Sequence, residues 1–335
     1  MNLPPIATTT VGSFPRPGWL GDRTRSHIAF RFEGALLQEA LDDATLLILK
    51  RQEEIGLDLL TDGEQRRPHF IGQMLAACDG VDTVNLGVKD NYRRIVQQRR
   101  VPRVIGKVKR RRPAALEDLR FAKAHTARPI KMAVPGPLTV VDSTVDQAYG
   151  DEEALAIDMA AVLNLELLDL QEAGCDVLQI DEPAMTRYHE KVAAYGSRAL
   201  DRCLEGIHVP TIVHLCYGYP GGGGQHEYEY PELLRKLMQT RIGGFAVEFA
   251  RSNYDPKVLD ACRGRLVMFG CVDPGDSPAP SVKAVVERVV PVLDYVDPEK
   301  LLLAPDCGLM TISPQLAAAK ARVLVEAADE LRRSL

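Results

Sequence analysis

The sequence has no long apolar segment, since none of its hydrophobic runs approaches the roughly 18 residues of a membrane-spanning helix. Its start, Met-Asn-Leu-Pro-Pro-Ile-Ala-Thr, lacks the basic residues and the long apolar core of a signal peptide. Positive charge is not in excess, because the formal net charge is −5, which argues against nucleic acid as the main partner. These absences predict a cytoplasmic protein that binds neither membranes nor nucleic acid.

Disulfide bonds are not indicated, although the chain has seven cysteines. Their number is odd, their spacing is irregular, and the predicted compartment is reducing. We therefore expect most of them to be small buried apolar residues. Cys216 and Cys307 differ, because polar neighbours and turns rich in glycine or proline follow them directly.

A glycine-rich turn between a strand and a helix, typical of dinucleotide-binding folds, is also absent, because the glycines at 221–224 precede a polar loop. Short β-rich apolar runs instead alternate with helical patterns. The predicted strands are 6–12, 57–62, 129–135, 176–181, 210–216, 243–249, 265–271 and 300–306. The predicted helices are 37–55, 114–126, 151–174, 193–206, 231–240, 256–262, 281–295 and 315–333. This alternation predicts an α/β fold, a closed parallel (β/α)8 TIM barrel that residues 1–335 form as a single domain.

Residues capable of chemistry follow all eight predicted strands. In chain order they are Gly12 and Ser13, Asp62 and Glu64, Pro135 to Pro137, Asp181 and Glu182, His214 and Cys216, Glu248, Asp273 and Asp276, and Asp306 and Cys307. The carboxyl ends of parallel strands meet at one mouth of a barrel, where barrel enzymes build their active sites. The pattern therefore predicts an enzyme with its site at this mouth.

Four of these side chains have the chemistry of a zinc site. His214 and Cys216 are two apart in a strand, so they point to the same face. Glu248 and Cys307 follow two further apolar runs. Thiolate and imidazole ligands suit Zn²⁺, and three firm ligands with one exchangeable position are typical of a catalytic site. We expect the ion to bind and activate a substrate thiol.

Two stretches depart from the repeat. Residues 79–113 form an insertion, and the alternation within its basic run, 93–112, predicts a hairpin over the barrel mouth. The basic run is interpreted either as a solvated ribbon or as a recognition surface for an anionic substrate group or a partner protein. Residues 218–229 form a glycine-rich loop beside the metal, and His226 within it is interpreted as an exposed loop residue rather than a ligand.

Several motifs together resemble the catalytic C-terminal domain of cobalamin-independent methionine synthase. They are Thr-Val-Gly-Ser-Phe-Pro (10–15), Asp-Gly-Glu (62–64), Pro-Gly-Pro-Leu-Thr (135–139), Gln-Ile-Asp-Glu-Pro-Ala (179–184), His-Leu-Cys-Tyr (214–217) and Pro-Asp-Cys-Gly-Leu (305–309). The resemblance covers nearly the whole chain, which would be a stand-alone barrel without that enzyme's N-terminal duplicate. Short stand-alone methionine synthases share the pattern, as do alkyltransferases that join epoxides to coenzyme M.

The resemblance implies four zinc ligands, namely His214, Cys216, Glu248 and Cys307. It also implies a clamp for the amino acid homocysteine, formed by the backbone of Val11, Gly12 and Ser13 with the side chains of Glu64 and Asp181. The chemistry agrees, because two carboxylates suit an ammonium group, while a hydroxyl and backbone N–H groups suit a carboxylate. For the neighbours Asp181 and Glu182, a structural carboxylate pair at a strand end is the alternative.

The folate half of the family's site is poorly matched. Ser143 stands where the family has a pterin-stacking Trp, and the one tryptophan of this chain, Trp19, lies elsewhere. Met185, Thr186 and Arg187 replace a pterin-binding Glu, and Asp276 stands near the place of a proton-donating His. We therefore expect a methyl or alkyl donor other than folate polyglutamate, such as a corrinoid protein or another small electrophile. Asp276 is the candidate to protonate its leaving group.

Zinc-dependent alkyl transfer to a thiol is thus the predicted reaction, first in the form of methionine synthesis from homocysteine. Alternatively, the thiol is a sulfonate such as coenzyme M, and Arg187 or the basic hairpin holds the anion. Two more distant alternatives are a metal-free barrel decarboxylase of the porphyrin pathway type and a non-catalytic binding protein braced by zinc. Metal analysis and comparison of thiols as ligands separate these four.

Overall fold

The strands that the structure describes form two sheets. A computed structural model describes residues 3–21, 29–90, 98–217, 230–252 and 254–335. The strands in this part of the chain are β1 (Ala7–Thr8), β2 (Cys78–Asp90), β3 (Gln98–Arg110), β4 (Lys131–Pro135), β5 (Val145–Asp146), β6 (Val177–Asp181), β7 (Thr211–Leu215), β8 (Gly244–Glu248), β9 (Leu266–Val272) and β10 (Leu301–Pro305). One sheet is parallel and has the order β1-β10-β9-β8-β7-β6-β4, and the other contains β2, β3 and β5.

Residues 58–60 close the parallel sheet into a barrel. The N–H groups of the first two of them donate to the Thr8 carbonyl at 3.1 and 3.0 Å, and the Leu60 carbonyl accepts from Lys131 N at 2.8 Å. The segment therefore takes the place of the strand predicted at 57–62, although its only strand-like pairing in the described chain is a β-bridge at Leu60. The predicted TIM barrel is confirmed, but the strand predicted at 57–62 is reduced to this single bridge.

Helices surround the barrel. They are α1 (Gly34–Ile55), α2 (Phe70–Leu75), α3 (Leu116–His125), α4 (Pro137–Asp142), α5 (Glu152–Glu172), α6 (His189–Lys191), α7 (Ser197–Cys203), α8 (Tyr230–Leu237), α9 (Val282–Val289) and α10 (Pro314–Arg332). Side chains cap several of them: Asp151 accepts from two N–H groups at the start of α5, and Ser313 accepts from Leu316 N of α10. No helix of the described ranges has both the length and the apolar character needed to span a membrane.

Three predicted helices differ from the observed ones. The helix expected at 193–206 begins as a π-helix, Val192–Gly196, before α7. The one expected at 256–262 is a 3₁₀-helix. The one expected at 281–295 is divided into α9 and the 3₁₀-helix Val290–Asp294, because Pro291 has no N–H to continue the helical hydrogen bonds. A third 3₁₀-helix, Pro298–Lys300, precedes β10.

The barrel has two separate apolar layers. Residues at alternate strand positions pack with each other inside the barrel, and they are Ala7, Val11, Leu59, Val177, Ile212, Ala246, Met268, Leu302 and Ala304. The opposite strand faces pack against the helices in a larger cluster that includes Leu178, Val213 and Phe245. Because successive side chains of a strand alternate between faces, this division decides which residues of each strand point into the barrel.

β2 and β3 form the hairpin predicted for the insertion, with antiparallel pairing. The two cationic partners Lys89 and Arg99 point toward the residues after β4: the Lys89 ammonium donates to the Val141 carbonyl at 3.2 Å, and Arg99 bonds the Asp142 carboxylate at 3.1 Å. The neighbouring Arg100 is exposed. The predicted position of the hairpin over the barrel mouth is therefore confirmed. Of its basic residues, Lys89 and Arg99 bind the hairpin to the residues after β4 and Arg100 faces solvent, while recognition of an anion or a partner protein stays a prediction.

Candidate metal centre

The interior of the barrel becomes polar toward the carboxyl ends of the strands. Inward apolar residues are followed two positions later by polar ones, in the pairs Val177 and Gln179, Ile212 and His214, and Ala246 and Glu248. Strand alternation keeps these polar residues inside the barrel. The register of β6 and β7 sets Asp181 directly beside His214. The mouth therefore collects buried ionisable side chains from neighbouring strands.

The four predicted metal ligands lie together at this mouth. His214, Cys216, Glu248 and Cys307 each offer one ligand atom, and these atoms all lie within 4.8 Å of one another. The two sulfur atoms are 3.5 Å apart. His214, Cys216 and Glu248 are buried and Cys307 is partly exposed, so the group can be reached from one side.

The unsatisfied atoms of this group fit a metal cation. Among the described residues, His214 Nε2 and Glu248 Oε1 are buried without a hydrogen-bond partner, whereas such atoms are normally paired. The neighbouring Cys307 sulfur and burial raise the pKa of the Cys216 thiol, and burial together with Cys216 raises the pKa of Glu248. A cation shared by these groups would ionise the thiols and occupy the unpaired atoms.

Asp181 orients the histidine of the group. Its Oδ1 lies 3.2 Å from His214 Nδ1, so the ring donates this N–H to the carboxylate and leaves Nε2 for the metal position. A carboxylate behind a ligating histidine is a common device that fixes the ring and its tautomer. Asp181 therefore has a second role beside the predicted contact with an ammonium group.

The backbone from Val11 to Ser13 is held so that its N–H groups remain available. The carbonyls of Val11, Gly12 and Ser13 accept from Lys131, Thr61 and Leu309, at 2.8, 2.8 and 2.9 Å. Within the described ranges, no residue accepts a hydrogen bond from the N–H groups of residues 12 and 13. Two adjacent free N–H groups beside a buried serine hydroxyl suit a carboxylate.

Glu64 stands beside this backbone. It adopts a φ of 55°, which is unusual for a residue other than glycine and costs on the order of 1 kcal/mol. Its carboxylate lies so close to Gly12 that a methyl group on that residue would be 2.5 Å from Oε1. Burial raises the pKa of Glu64 to about 7, with Arg67 opposing the shift. The structure thus brings Glu64 to the Gly12–Ser13 backbone.

Glu182 differs from its neighbour Asp181, because its contacts are structural. Its carboxylate accepts from Leu138 N at 2.9 Å, from Thr139 N at 2.9 Å and from Thr139 Oγ1 at 2.7 Å. These donors lie in the first turn of α4, so Glu182 caps that helix from the end of β6. Gly136 leaves the space, since a methyl group there would overlap the Glu182 carboxylate. Of the Asp181–Glu182 pair, only Asp181 contacts the metal group.

Arg187 does not join the four-residue group but lies in an ion-pair cluster around Asp142. Its guanidinium is 3.2 Å from Asp142 Oδ2, which also bonds Arg99 at 3.1 Å. The Tyr188 hydroxyl donates to the other carboxylate oxygen at 3.1 Å. Ser143, which follows Asp142, is buried. The region therefore carries cations and a carboxylate in contact with each other.

Two further predicted residues in the described ranges, Asp276 and Trp19, are not members of the four-residue group. Asp276 is exposed in the loop after β9, and Lys320 of α10 holds that loop by donating to the carbonyls of Asp273 and Gly275 at 2.6 and 2.5 Å. A role for Asp276 as proton donor stays a prediction. Trp19 is exposed. His226 and the basic residues at 93–94 lie outside the described residues.

Sequence reasoning missed two buried polar residues that connect the pocket, Lys131 and Gln179. The Lys131 ammonium donates to Gln179 Oε1 at 2.5 Å, and Gln179 Nε2 donates to Asp181 Oδ1 at 2.7 Å. A signal was present, because a lysine and a glutamine interrupt the apolar runs of two strands, Pro-Ile-Lys-Met-Ala-Val-Pro and Val-Leu-Gln-Ile. Gln179 is also two residues before Asp181 and must share its face.

Known proteins resemble this chain over almost all of its length. Residues 6–330 match the family described as cobalamin-independent synthase, catalytic domain. The methionine synthase of Sulfurisphaera tokodaii is 31% identical over 99% of this chain and 94% of its own length. That of Sulfolobus acidocaldarius is 29% identical over 98% of this chain and 93% of its own length. A B12-independent methionine synthase of Shewanella sp. W3-18-1, solved with selenomethionine, superposes with a TM-score of 0.93 at 31% identity, covering 99% of both chains.

Proposed function

Because the chain belongs to the cobalamin-independent methionine synthase family, as its motifs predicted, we propose that it transfers a methyl group to the thiol of homocysteine and releases methionine. The chain is thus a methyltransferase, and family membership argues against the metal-free decarboxylase. We propose Zn²⁺ as its metal, with four ligands: His214, Cys216, Glu248 and Cys307. Two sulfur donors, one imidazole and one carboxylate are ligands that Zn²⁺ binds well.

One observation carries the proposal: the four candidate ligands and a pocket suited to an amino acid share one barrel mouth. Asp181 belongs to both, since it contacts His214 at 3.2 Å and its charge helps to raise the pKa of Glu64 in the pocket. A thiol whose other end carries ammonium and carboxylate groups matches this arrangement. The Shewanella relative was solved with selenomethionine, an analogue of the proposed product.

Bound Zn²⁺ supplies one piece of chemistry, which is to lower the pKa of the acceptor thiol from about 8.5 so that its sulfur is ionised at neutral pH. The residues of the protein bind and orient the substrate. Glu64 and Asp181 hold the ammonium group, and the N–H groups of Gly12 and Ser13 hold the carboxylate. The sulfur is then fixed toward the open side of the mouth, and such orientation lowers a barrier by about 7–11 kcal/mol at best.

The methyl donor is proposed to be other than folate polyglutamate. Where the family's pterin site would lie, Arg187 and Arg99 bond Asp142, and Ser143 is buried beside them. The aromatic side chain of this cluster, Tyr188, donates its hydroxyl to Asp142, and the cations of Arg187 and Lys191 lie over its ring, so these groups already occupy the surface on which a pterin would stack. A methylated corrinoid protein fits better, because it would bring its reactive methyl group to the mouth without a pterin pocket. During transfer the sulfur–carbon bond forms, and the donor leaves with the electron pair of its bond to the methyl group.

The experiment is a comparison of donors and acceptors with the zinc-loaded protein. Homocysteine or coenzyme M is incubated with methylcobalamin, with methyltetrahydrofolate carrying one or three glutamates, or with an epoxide, and the products are identified by mass. We expect methionine from homocysteine and methylcobalamin, and none from either folate. If only coenzyme M is alkylated, the methionine proposal is wrong. If folate serves as well as methylcobalamin, the donor proposal is wrong.

A further inference from the structure

A buried cation lies beneath the amino-acid pocket. Lys131 of β4 is completely buried, and its ammonium donates to the Val11 carbonyl at 2.8 Å and to Gln179 Oε1 at 2.5 Å. Burial lowers the pKa of Lys131 to about 8, with Asp181 and Glu64 opposing, so most of the protein carries the cation at neutral pH. An apolar side chain would fill the same space without this desolvation cost. The lysine therefore needs a reason other than packing.

The cation decides which way the Gln179 amide faces. An ammonium group can only donate, so the amide must present its oxygen to Lys131. Its nitrogen then points to two acceptors, Asp181 Oδ1 at 2.7 Å and the Val11 carbonyl at 2.9 Å. Without the lysine, the amide could rotate by half a turn and place its oxygen against the carboxylate of Asp181.

Both ends of the pocket depend on this amide. The Val11 carbonyl accepts from Lys131 and from Gln179, which fixes the peptide bond whose N–H belongs to Gly12. Asp181 receives the Gln179 amide at the same oxygen that faces His214 Nδ1. A hydrogen-bond network through Gln179 thus connects two parts of the pocket. One is the Gly12 N–H, which is proposed to bind the carboxylate of homocysteine, and the other is Asp181, which is proposed to bind its ammonium group.

We propose that Lys131 and Gln179 are positioning residues that hold both halves of the amino-acid pocket in the geometry that receives homocysteine. The inference rests on the proposed function, because it assigns these residues to the recognition of an amino acid. It differs from a general structural role in one respect. Loss of this hydrogen-bond network should weaken binding of a thiol that carries amino and carboxyl groups, and it should leave binding of a simple alkyl thiol unchanged.

The test compares two ligands of the zinc-loaded protein by calorimetry: homocysteine, and propanethiol, which has neither an amino nor a carboxyl group. Lys131→Met keeps an unbranched side chain that is one heavy atom shorter and removes the cation. We expect it to lose affinity for homocysteine by about 10- to 100-fold, as outer-shell changes typically do, while the propanethiol affinity and the zinc content stay within about twofold.

Gln179→Glu is the second variant. It keeps the size of the side chain and an oxygen for Lys131, but it replaces the donor that faces Asp181 by an acceptor. We expect the same selective loss of affinity for homocysteine. The double variant should bind homocysteine only slightly more weakly than the weaker-binding single variant, because both changes break the same hydrogen-bond network. Lys320→Met is the matched control, since Lys320 is also completely buried and bonded to carbonyls. In Lys320→Met, the ratio of the affinity for homocysteine to the affinity for propanethiol should equal that of the wild type.

The outcomes separate this inference from the proposed function. If the wild type binds homocysteine no better than propanethiol, the proposed function fails and the positioning role fails with it. If the wild type prefers homocysteine and Gln179→Glu keeps that preference, the positioning role alone is wrong. Equal losses for both thiols in Lys131→Met also overturn it. If Lys131→Met does not fold, Gln179→Glu decides by itself.

Discussion

Gly308 packs directly against the side chain of Ser13: a methyl group on Gly308 would overlap the serine hydroxyl oxygen. The next residue, Leu309, donates its N–H to the Ser13 carbonyl at 2.9 Å. The segment after β10 therefore carries a candidate metal ligand, Cys307, and also positions the serine of the amino-acid pocket. A side chain at position 308 would therefore have to displace the Ser13 hydroxyl.

Gly308→Ala should therefore weaken substrate binding without removing the metal. The added methyl group must displace the Ser13 hydroxyl, which removes it from its position beside the N–H groups proposed for the carboxylate. We expect the KM for homocysteine to rise about tenfold or more, because misplacement by about 1 Å is costly in a preorganised site. Zinc analysis of the same protein is the control. A variant with normal KM would show that Ser13 takes no part in binding.

Loss of a metal ligand should lower zinc occupancy while the barrel still folds. Cys307→Ser and His214→Ala each remove one of the four donors, and a barrel of this size does not depend on a single ion for its fold. We expect substoichiometric zinc after dialysis and methyl transfer reduced by at least 10-fold, with an unchanged far-ultraviolet circular dichroism spectrum. Full zinc and full activity in either variant would refute the ligand assignment. A Cys78→Ser variant, changed at a buried cysteine outside the group, is the control.

The Asp181→Asn variant should keep the metal but bind the ammonium group of the substrate less well. The asparagine oxygen can still accept from His214 Nδ1, but the side chain no longer carries the charge that attracts an ammonium group. We expect about 10- to 100-fold weaker binding of homocysteine, with normal binding of propanethiol and normal zinc content. Unchanged affinity for homocysteine would contradict the clamp.

Binding of the product should weaken below neutral pH. Burial raises the pKa of Glu64 to about 7, so the free protein loses this carboxylate as the pH falls through 7, and with it the attraction for an ammonium group. Methionine is the suitable ligand because it has no thiol proton. Its affinity should fall about tenfold between pH 8 and pH 6. Glu64→Gln should bind methionine weakly at both pH values, and a steep pH dependence in that variant would place the titrating group elsewhere.

The sequence predicted best where one short pattern determined the geometry. A spacing of two residues in a strand was enough to predict that His214 and Cys216 share one face. The position of Glu248 and Cys307 at the carboxyl ends of predicted strands was enough to predict that they lie close to that pair. The second strand was overestimated, because its apolar pattern is the same whether residues 58–60 form a ladder or only close the barrel. Short helices such as α4 have too few residues for a helical period to appear.

Contacts of long side chains could not be predicted in this way. Arg187 was a candidate to hold the anion of a sulfonate thiol, which stays a prediction, but its bond to Asp142 was not foreseen, because nothing in the local sequence of either residue indicates the other. Lys131 lies in an apolar run, and its partner Gln179 is 48 residues away. Such pairs depend on the register between strands, which a single sequence does not contain.

The contrast between Asp181 and Glu182 gives the last prediction. Glu182 satisfies three donors at the start of α4, all from residues 138 and 139, and its carboxylate is completely buried. Glu182→Ala would leave these donors buried without an acceptor, at a cost of about 1–3 kcal/mol for each such group, although relaxation of α4 reduces the sum.

We therefore expect Glu182→Ala to lower the free energy of unfolding by about 3 kcal/mol in urea titrations. Glu326→Ala, at an exposed position of α10, should change it by less than about 0.5 kcal/mol. The zinc content of folded Glu182→Ala should be normal, because this residue holds α4 and not the metal group. A stable variant that had lost its zinc would reverse the roles assigned to the two neighbouring carboxylates.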